Sequence, residues 1–312
     1  MSCLHIRRLT IKFKTDLGTL TAVDNVSLEH VAGETLALVG ETGCGKSVLA
    51  GAILRLLPNN ASVKGTILYG DIDLLSLTEK ELSRIRGNEI SLVLQNPSLS
   101  LNPVYTIGQQ ISEMFLVHRK TTPKDAAVQT LHLLRRMGFG RPESISALYP
   151  FQLSEGMNQR VLIAMAVALH PKIIIADEPT KGLDERLKED IIREINQIKK
   201  EKESCLLLII HDLDTARKLS DRIAIMYGGQ IMELSPAKNF FANPLHPYSR
   251  ALLESLPERG FKPIPGTTPS MVVPPPGCRF HPRCGYRMDI CQEKEPELFK
   301  KEGISVKCFL YR

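Results

Sequence analysis

The chain has 312 residues, 43% hydrophobic and 24% charged, with a net charge of +6. That is an ordinary soluble composition, with length for one large α/β domain and a smaller appendage. No run approaches the roughly 18 consecutive apolar residues of a membrane-spanning helix, and no dense Lys/Arg block argues for nucleic acid. The longest apolar run, Val161 to Leu169, stops at His170-Pro171-Lys172, and Met1 to His5 leads into Arg7-Arg8 without the apolar core of a secretion signal. The expectation is a cytosolic protein that reaches a membrane only through partners.

From the N-terminus, His5 to Lys14 and Ala22 to Glu29 read as strands around the turn-prone Asp16-Leu17-Gly18. Thr35 to Val39 is an apolar run of the buried-strand kind, and a helix is expected from Ser47 until Pro58 stops it after Leu57. Between them lies Gly40-Glu41-Thr42-Gly43-Cys44-Gly45-Lys46-Ser47, which matches the phosphate-binding loop pattern in its required strand-to-helix setting. Its glycines let the backbone wrap so that N–H groups face phosphates, and the helix start adds the positive end of a dipole. Lys46 is then expected at the β- and γ-phosphates of ATP, Ser47 on Mg²⁺, and Cys44 as a small loop residue.

From Ser76 to about Gly138 the pattern is mostly helical and polar, with a strand-like Ile90-Ser91-Leu92-Val93-Leu94 and a loop from Asn96 to Pro103. Two further apolar runs, Ile173 to Ala176 and Cys205 to Ile210, each follow a helical segment, as parallel crossovers require. The first delivers Asp177-Glu178 to a strand end, where Asp177 can hold Mg²⁺ and Glu178 can polarise the attacking water. Ile223 to Met226 and Ile231 to Leu234 flank Tyr227-Gly228-Gly229-Gln230 as a hairpin. Beyond Pro236 prolines become dense and little has helical or strand period, which reads as a linker plus an extension. Four cysteines, Cys278, Cys284, Cys291 and Cys308, crowd this end. In a cytosolic chain they suggest metal more than disulfides, and none is paired closely enough for a CxxC zinc knuckle.

Leu153-Ser154-Glu155-Gly156-Met157-Asn158-Gln159-Arg160, placed just before the acidic strand, resembles the signature segment of the ABC ATPase family. The order of phosphate loop, Gln95, signature, Asp177-Glu178, Asp184 and His211 fits that family throughout. The resemblance implies an α/β P-loop NTPase of the ABC type: a RecA-like parallel sheet core, an antiparallel β subdomain, a helical subdomain and a small Cys-rich extension. It implies an ATPase domain over 1–235, with its helical subdomain near 96–165, and an extension over 236–312. It also implies roles: Gln95 touching Mg²⁺ and sensing the membrane partner, His211 on the γ-phosphate, and Phe13 stacking on adenine. Ser154 and Gly156 would close on the ATP held by a second subunit, near that subunit's phosphate loop, with Asp184 in the D-loop.

Asn243 to Leu253, Gly277 to Cys284 and Ser98 to Pro103 resemble the oligopeptide, dipeptide and nickel uptake branch. This implies a subunit on the cytoplasmic face of the membrane, working with two transmembrane permease subunits and an external solute-binding protein. Peptides are the expected cargo, nickel or another small solute the alternative, and a non-transport ABC ATPase acting on nucleic acid or the ribosome a distant one. The single phosphate loop and the lack of a long heptad run argue against the last. Intact Lys46, Asp177, Glu178 and His211 argue against a mere regulatory module. Some members of this branch carry a [4Fe–4S] cluster in the extension, so the resemblance implies one here with the four cysteines as its ligands; Zn²⁺, with His281, or unligated thiols are the alternatives. Glu155 stands where the family usually has glycine, which suggests that the second ATPase subunit is a different chain.

Overall fold

The computed structural model describes residues 2–181, 185–202, 204–301 and 303–312. In chain order the strands are β1 (Ser2–Thr15), β2 (Gly18–Val31), β3 (Thr35–Val39), β4 (Ala61–Tyr69), β5 (Ile72–Asp73), β6 (Ile90–Val93), β7 (Ile173–Asp177), β8 (Cys205–Ile210), β9 (Arg222–Tyr227), β10 (Gln230–Pro236), β11 (Phe299–Lys301) and β12 (Ile304–Val306). The chain divides into two units, Met1–Ser76 with Leu208–Arg312, and Leu77–Leu207.

In the first unit β2, β1, β4 and β5 form an antiparallel sheet in that order. A register shift between Ile6 and Leu9, with Arg8 in the left-handed region at φ 47, inserts a bulge into β1. The bulge switches strand parity, so Leu4 and Ile6 before it and Leu9 and Ile11 after it are all buried. β4 and β5 are absent from the sequence expectations; their burial alternates weakly along Ala61–Tyr69, with Ile67 the fully buried member.

A second sheet in this unit runs β11, β12, β10, β9, β3, with residues 208–210 of β8 beyond β3. β3 and β9 are parallel, and all five residues of β3 are buried, as expected for a strand covered on both faces. The expected hairpin is present: Gly228 and Gly229, at φ 53 and 82, supply the two left-handed residues that match a tight turn to strand twist.

Two expectations need correction. The helix after the phosphate loop is Lys46–Ile53 and does not reach Leu57. Arg55 turns left-handed at φ 52, and the Leu56 N–H closes on the Gly51 carbonyl at 2.8 Å, a capping motif that satisfies the last turn before Pro58 is reached. The region after Pro236 is also more regular than its composition suggests, with helices Ala237–Ala242 and Pro247–Glu254. Each is too short to show a period, but Phe240, Tyr248 and Leu253 are buried. His246 caps the second helix through Nδ1, which accepts the Tyr248 N–H at 3.0 Å, and Pro247 takes the favoured first position. Glu233 on β10, fully buried, accepts the Leu245 and His246 N–H groups and ties this link to the sheet.

In the second unit β6 and β7 pair in parallel, Val93 beside Ala176. Helices Glu79–Ile85, Ile107–His118 and Pro123–Arg136 start at Thr78, Thr106 and Thr122, whose side chains accept backbone N–H bonds from the first turn. Glu155–Val167 is apolar on most sides and correspondingly buried, and Glu185–Lys202 precedes β8. Among the described residues no helix is long and apolar enough to cross a membrane.

Candidate nucleotide site

The loop 40–47 leaves β3 and enters the helix Lys46–Ile53. Gly43 and Gly45 stand at φ 80 and 107, where side chains other than glycine are strained. Two of the glycines also answer a packing demand. A Cβ on Gly40 would lie 2.1 Å from the Met226 carbonyl of β9, and one on Gly45 would lie 2.2 Å from the Ala22 carbonyl of β2. The loop is therefore pressed against two strands at its two ends.

Lys46 is buried, and its Nζ donates to the carbonyls of Gly40 at 2.7 Å and Glu41 at 3.0 Å. These bonds hold the ammonium over the inside of the loop. Cys44 is buried and its thiol is pushed up by burial, opposed by Lys46, so it acts as a small protonated spacer. Thr42, Gly43 and Ser47 are exposed. His211, following β8, sets Nδ1 at 3.2 Å from the Gly40 carbonyl. A carbonyl only accepts, so Nδ1 is the donor, and in the neutral ring Nε2 is the acceptor. The structure thus brings together Gly40, Glu41, Lys46 and His211. Phe13 lies on β1, half-buried, between Leu20 of β2 and Ala61 of β4.

In the second unit the buried β7 ends at Asp177, also buried, and Glu178 follows at φ 49. A left-handed glutamate costs on the order of 1–2 kcal/mol, and such strain collects at functional sites. Because β6 runs beside β7, Gln95 just past β6 reaches Glu178: its Nε2 donates to Oε2 at 2.6 Å. Lys181 pairs with the same oxygen at 3.1 Å. The sequence offers one signal for Lys181, its spacing of one turn from Glu178. Ser154 caps the helix Glu155–Val167, accepting the Met157 N–H at 3.3 Å, with Gly156 buried and Glu155 exposed in the first turn. Asp184 lies outside the described residues.

In the extension, Cys278, Cys284, Cys291 and Cys308 are free thiols that line one small cavity with His246, Phe280 and His281. Burial pushes the Cys278 thiol up to about 12 and raises Cys284 and Cys308 as well. The Tyr286 and Met288 N–H groups donate to the sulfurs of Cys284 at 3.4 Å and Cys291 at 3.5 Å. Among the described residues, no three or more His, Cys, Asp or Glu side chains stand together as a site for a metal ion.

Residues 23–181 match the family model described as ABC transporter, and residues 232–291 match that of the oligopeptide/dipeptide transporter C-terminal region. The chain belongs to the ABC transporter ATP-binding family. It is similar to the oligopeptide transport ATP-binding protein AppD of Bacillus subtilis, 40% identical over 99% of this chain and 96% of that protein. It is also similar to the dipeptide transport ATP-binding protein DppD of Haemophilus influenzae, 40% identical over 99% of this chain and 95% of that one. Among solved structures, the dimeric cassette MJ0796 bound to ADP and Pi superposes with a TM-score of 0.68 at 26% identity, over 75% of this chain and 98% of the cassette. This ABC subunit is accordingly an ATPase coupled to transport.

The packing of the loop ranks its glycines. Gly43→Ala meets no neighbour within 4 Å and carries only backbone strain, whereas Gly45→Ala adds a collision with a strand carbonyl. Gly45→Ala should lower unfolding stability by roughly 1–3 kcal/mol more than Gly43→Ala, read by urea denaturation without nucleotide. Equal losses would show that the carbonyl contact is immaterial.

Proposed function

We propose that this ABC ATPase works at the cytoplasmic face of a membrane, hydrolysing ATP to energise the uptake of di- or oligopeptides. The observation that carries the reading is the phosphate loop, its Lys46 seated over the loop interior, joined in one chain to the oligopeptide/dipeptide C-terminal region. That region, and the peptide transporters among its relatives, favour peptide over nickel as cargo. The functional division we infer runs at about residue 235, with 1–235 the motor, 96–165 its helical subdomain and 236–312 the extension.

In this reading the loop N–H groups of residues 40–47 and Lys46 bind the phosphates, and Phe13 packs on the adenine. Ser47, Asp177 and Gln95 offer the hydroxyl, carboxylate and amide oxygens that suit Mg²⁺, which supplies charge neutralisation at the phosphates when bound. Glu178, held by Gln95 and Lys181, orients and polarises the attacking water, and His211 contacts the γ-phosphate. Ser154, Gly156 and Asp184 serve the nucleotide bound by a second ATPase subunit. Glu178→Gln should slow ATP hydrolysis by about 10²–10⁴-fold while ATP still binds, measured as steady-state rate against equilibrium binding. A rate within tenfold of the parent would remove Glu178 from that role.

Two permease subunits and an external solute-binding protein complete the proposed transporter. Support for a permease contact comes from the second unit, where Leu99, Val104 and Tyr105 are exposed soon after Gln95 and Tyr105 leads into a groove lined by Gln109, Leu116 and Leu131. We place the non-identical second ATPase on Glu155, an exposed carboxylate at the helix start where the phosphate would approach. Glu155→Gly in the reconstituted complex should raise ATP affinity or turnover about fivefold, the size of one exposed like-charge repulsion. No change in either would end the argument from Glu155.

The cysteine cavity we assign to a [4Fe–4S] cluster. Four thiols line one small space with few competing polar groups, and a cluster takes each cysteine on a different iron. The backbone N–H bonds to Cys284 and Cys291 are of the kind that stabilise charge on ligating sulfur. Anaerobically purified protein should be brown, with iron and sulfide in equal amounts, and Cys291→Ser should lose both. Colourless protein loaded with zinc would overturn the assignment.

A further inference from the structure

The extension reaches the phosphate loop at Glu41, whose three polar groups are all engaged. Its N–H donates to the Tyr248 hydroxyl at 3.0 Å. Its carboxylate Oε2 accepts from Arg283 Nη1 at 2.8 Å and from the Thr268 hydroxyl at 2.9 Å. Its carbonyl accepts from Lys46 at 3.0 Å. Three of these four bonds come from residues beyond 236, and the fourth comes from the loop's own lysine.

The anchors are themselves rigid. Arg283 is 6% exposed in its side chain and donates also to the Tyr227 hydroxyl at 3.2 Å and, through Nε, to the Pro265 carbonyl at 2.7 Å. Tyr248 is fully buried, its ring 4.6 Å from that of Tyr227 and 5.2 Å from that of Phe280. A guanidinium fixed at three places holds a carboxylate in one position, and it also neutralises a negative charge beside the place where a triphosphate would bind.

We propose that the extension is part of the nucleotide site, with Arg283 and Tyr248 as positioning residues that hold Glu41, and through it the phosphate loop, ready for ATP. This rests on the reading that loop 40–47 binds ATP. An unbraced loop must be ordered by the ligand, which weakens binding without removing any direct contact to it. The Glu41 carboxylate, left unpaired, would add repulsion.

The test is equilibrium titration of the full chain with a fluorescent ATP analogue, displaced by ATP, together with KM and kcat in the assembled transporter. Arg283→Ala should weaken ATP binding about tenfold, the scale of one charge-assisted hydrogen bond, and raise KM more than it lowers kcat. Arg283→Lys should recover part of the loss. Glu41→Gln should weaken binding less, and in its background Arg283→Ala should add less than threefold, because both act through one contact. Tyr248→Phe keeps the buried ring and removes only the hydroxyl, so it tests the brace should Arg283→Ala fail to fold; a loss of about three- to tenfold is expected. ATP affinity within twofold of the parent in both Arg283→Ala and Tyr248→Phe, or full additivity of Arg283→Ala with Glu41→Gln, would overturn the proposal. Lys46→Ala separates the two readings: if it too binds ATP normally, the loop is not the ATP site, whereas its failure beside normal Arg283 and Tyr248 variants rejects the brace alone.

Discussion

The phosphate loop is a stretch of backbone that must stay open on one side and immobile on the other. Its outer side is clamped by close approach, Gly40 beneath the Met226 carbonyl and Gly45 beneath that of Ala22. Such contacts leave no room for a Cβ, so they set residue identity from the packing side before any phosphate is considered. A further bond holds the Gly45 end, where the Gly229 N–H donates to the Cys44 carbonyl at 3.1 Å, and Gly229 is itself tied to β2, its carbonyl accepting the Asp24 N–H at 2.8 Å. The β9–β10 hairpin, with its two left-handed glycines, is thus a support of the loop as well as a turn. Cys44 serves this arrangement by being small, and its raised thiol keeps charge away from Lys46.

The acidic end of β7 follows a different rule. A strand buried along its whole length leaves polar side chains only at its end, and Asp177 and Glu178 occupy that end. Glu178 leaves the β region at once, at φ 49, which turns the chain sharply and sets the carboxylate where Gln95 and Lys181 meet it. The parallel pairing of β6 with β7 is what makes a glutamine more than 80 positions earlier a neighbour. Topology, not local spacing, assembles this pair.

That difference explains what could be read in advance. Buried strands such as Thr35–Val39 and Cys205–Ile210 announce themselves through uninterrupted apolar runs, and the phosphate loop through spacing that few other structures need. The hairpin was legible from its glycine pair. β4 was not, because only Ile67 among its residues is fully buried and its pairing with β1 is decided by partners far along the chain. The helices after Pro236 were hidden by their shortness and by flanking prolines, although proline at a first helical position favours a helix. Lys181 and Arg283 escaped notice for one reason: a basic residue in a turn is usually solvated, and only the fold shows that each faces a particular carboxylate.

The extension looks by composition like an appendage, yet its bonds run inward. β12 continues the sheet from β10, the Lys307 N–H donates to the Met232 carbonyl at 2.8 Å, and Arg279 meets Asp24 at 2.5 Å. Its own apolar cluster, Leu245, Ile304, Val306 and Cys308 with Phe299 and Tyr311, is small for a free-standing core. A segment of this kind is ordered by what it leans on and by any group that staples its cysteines. Since Phe280 and Arg283 lie between Cys278 and Cys284, the turn that carries two of those thiols also carries the contacts to Tyr248 and Glu41. Whatever fixes that turn also fixes the first residues of the phosphate loop. The extension is then better understood as a wall of the motor than as a tail behind it.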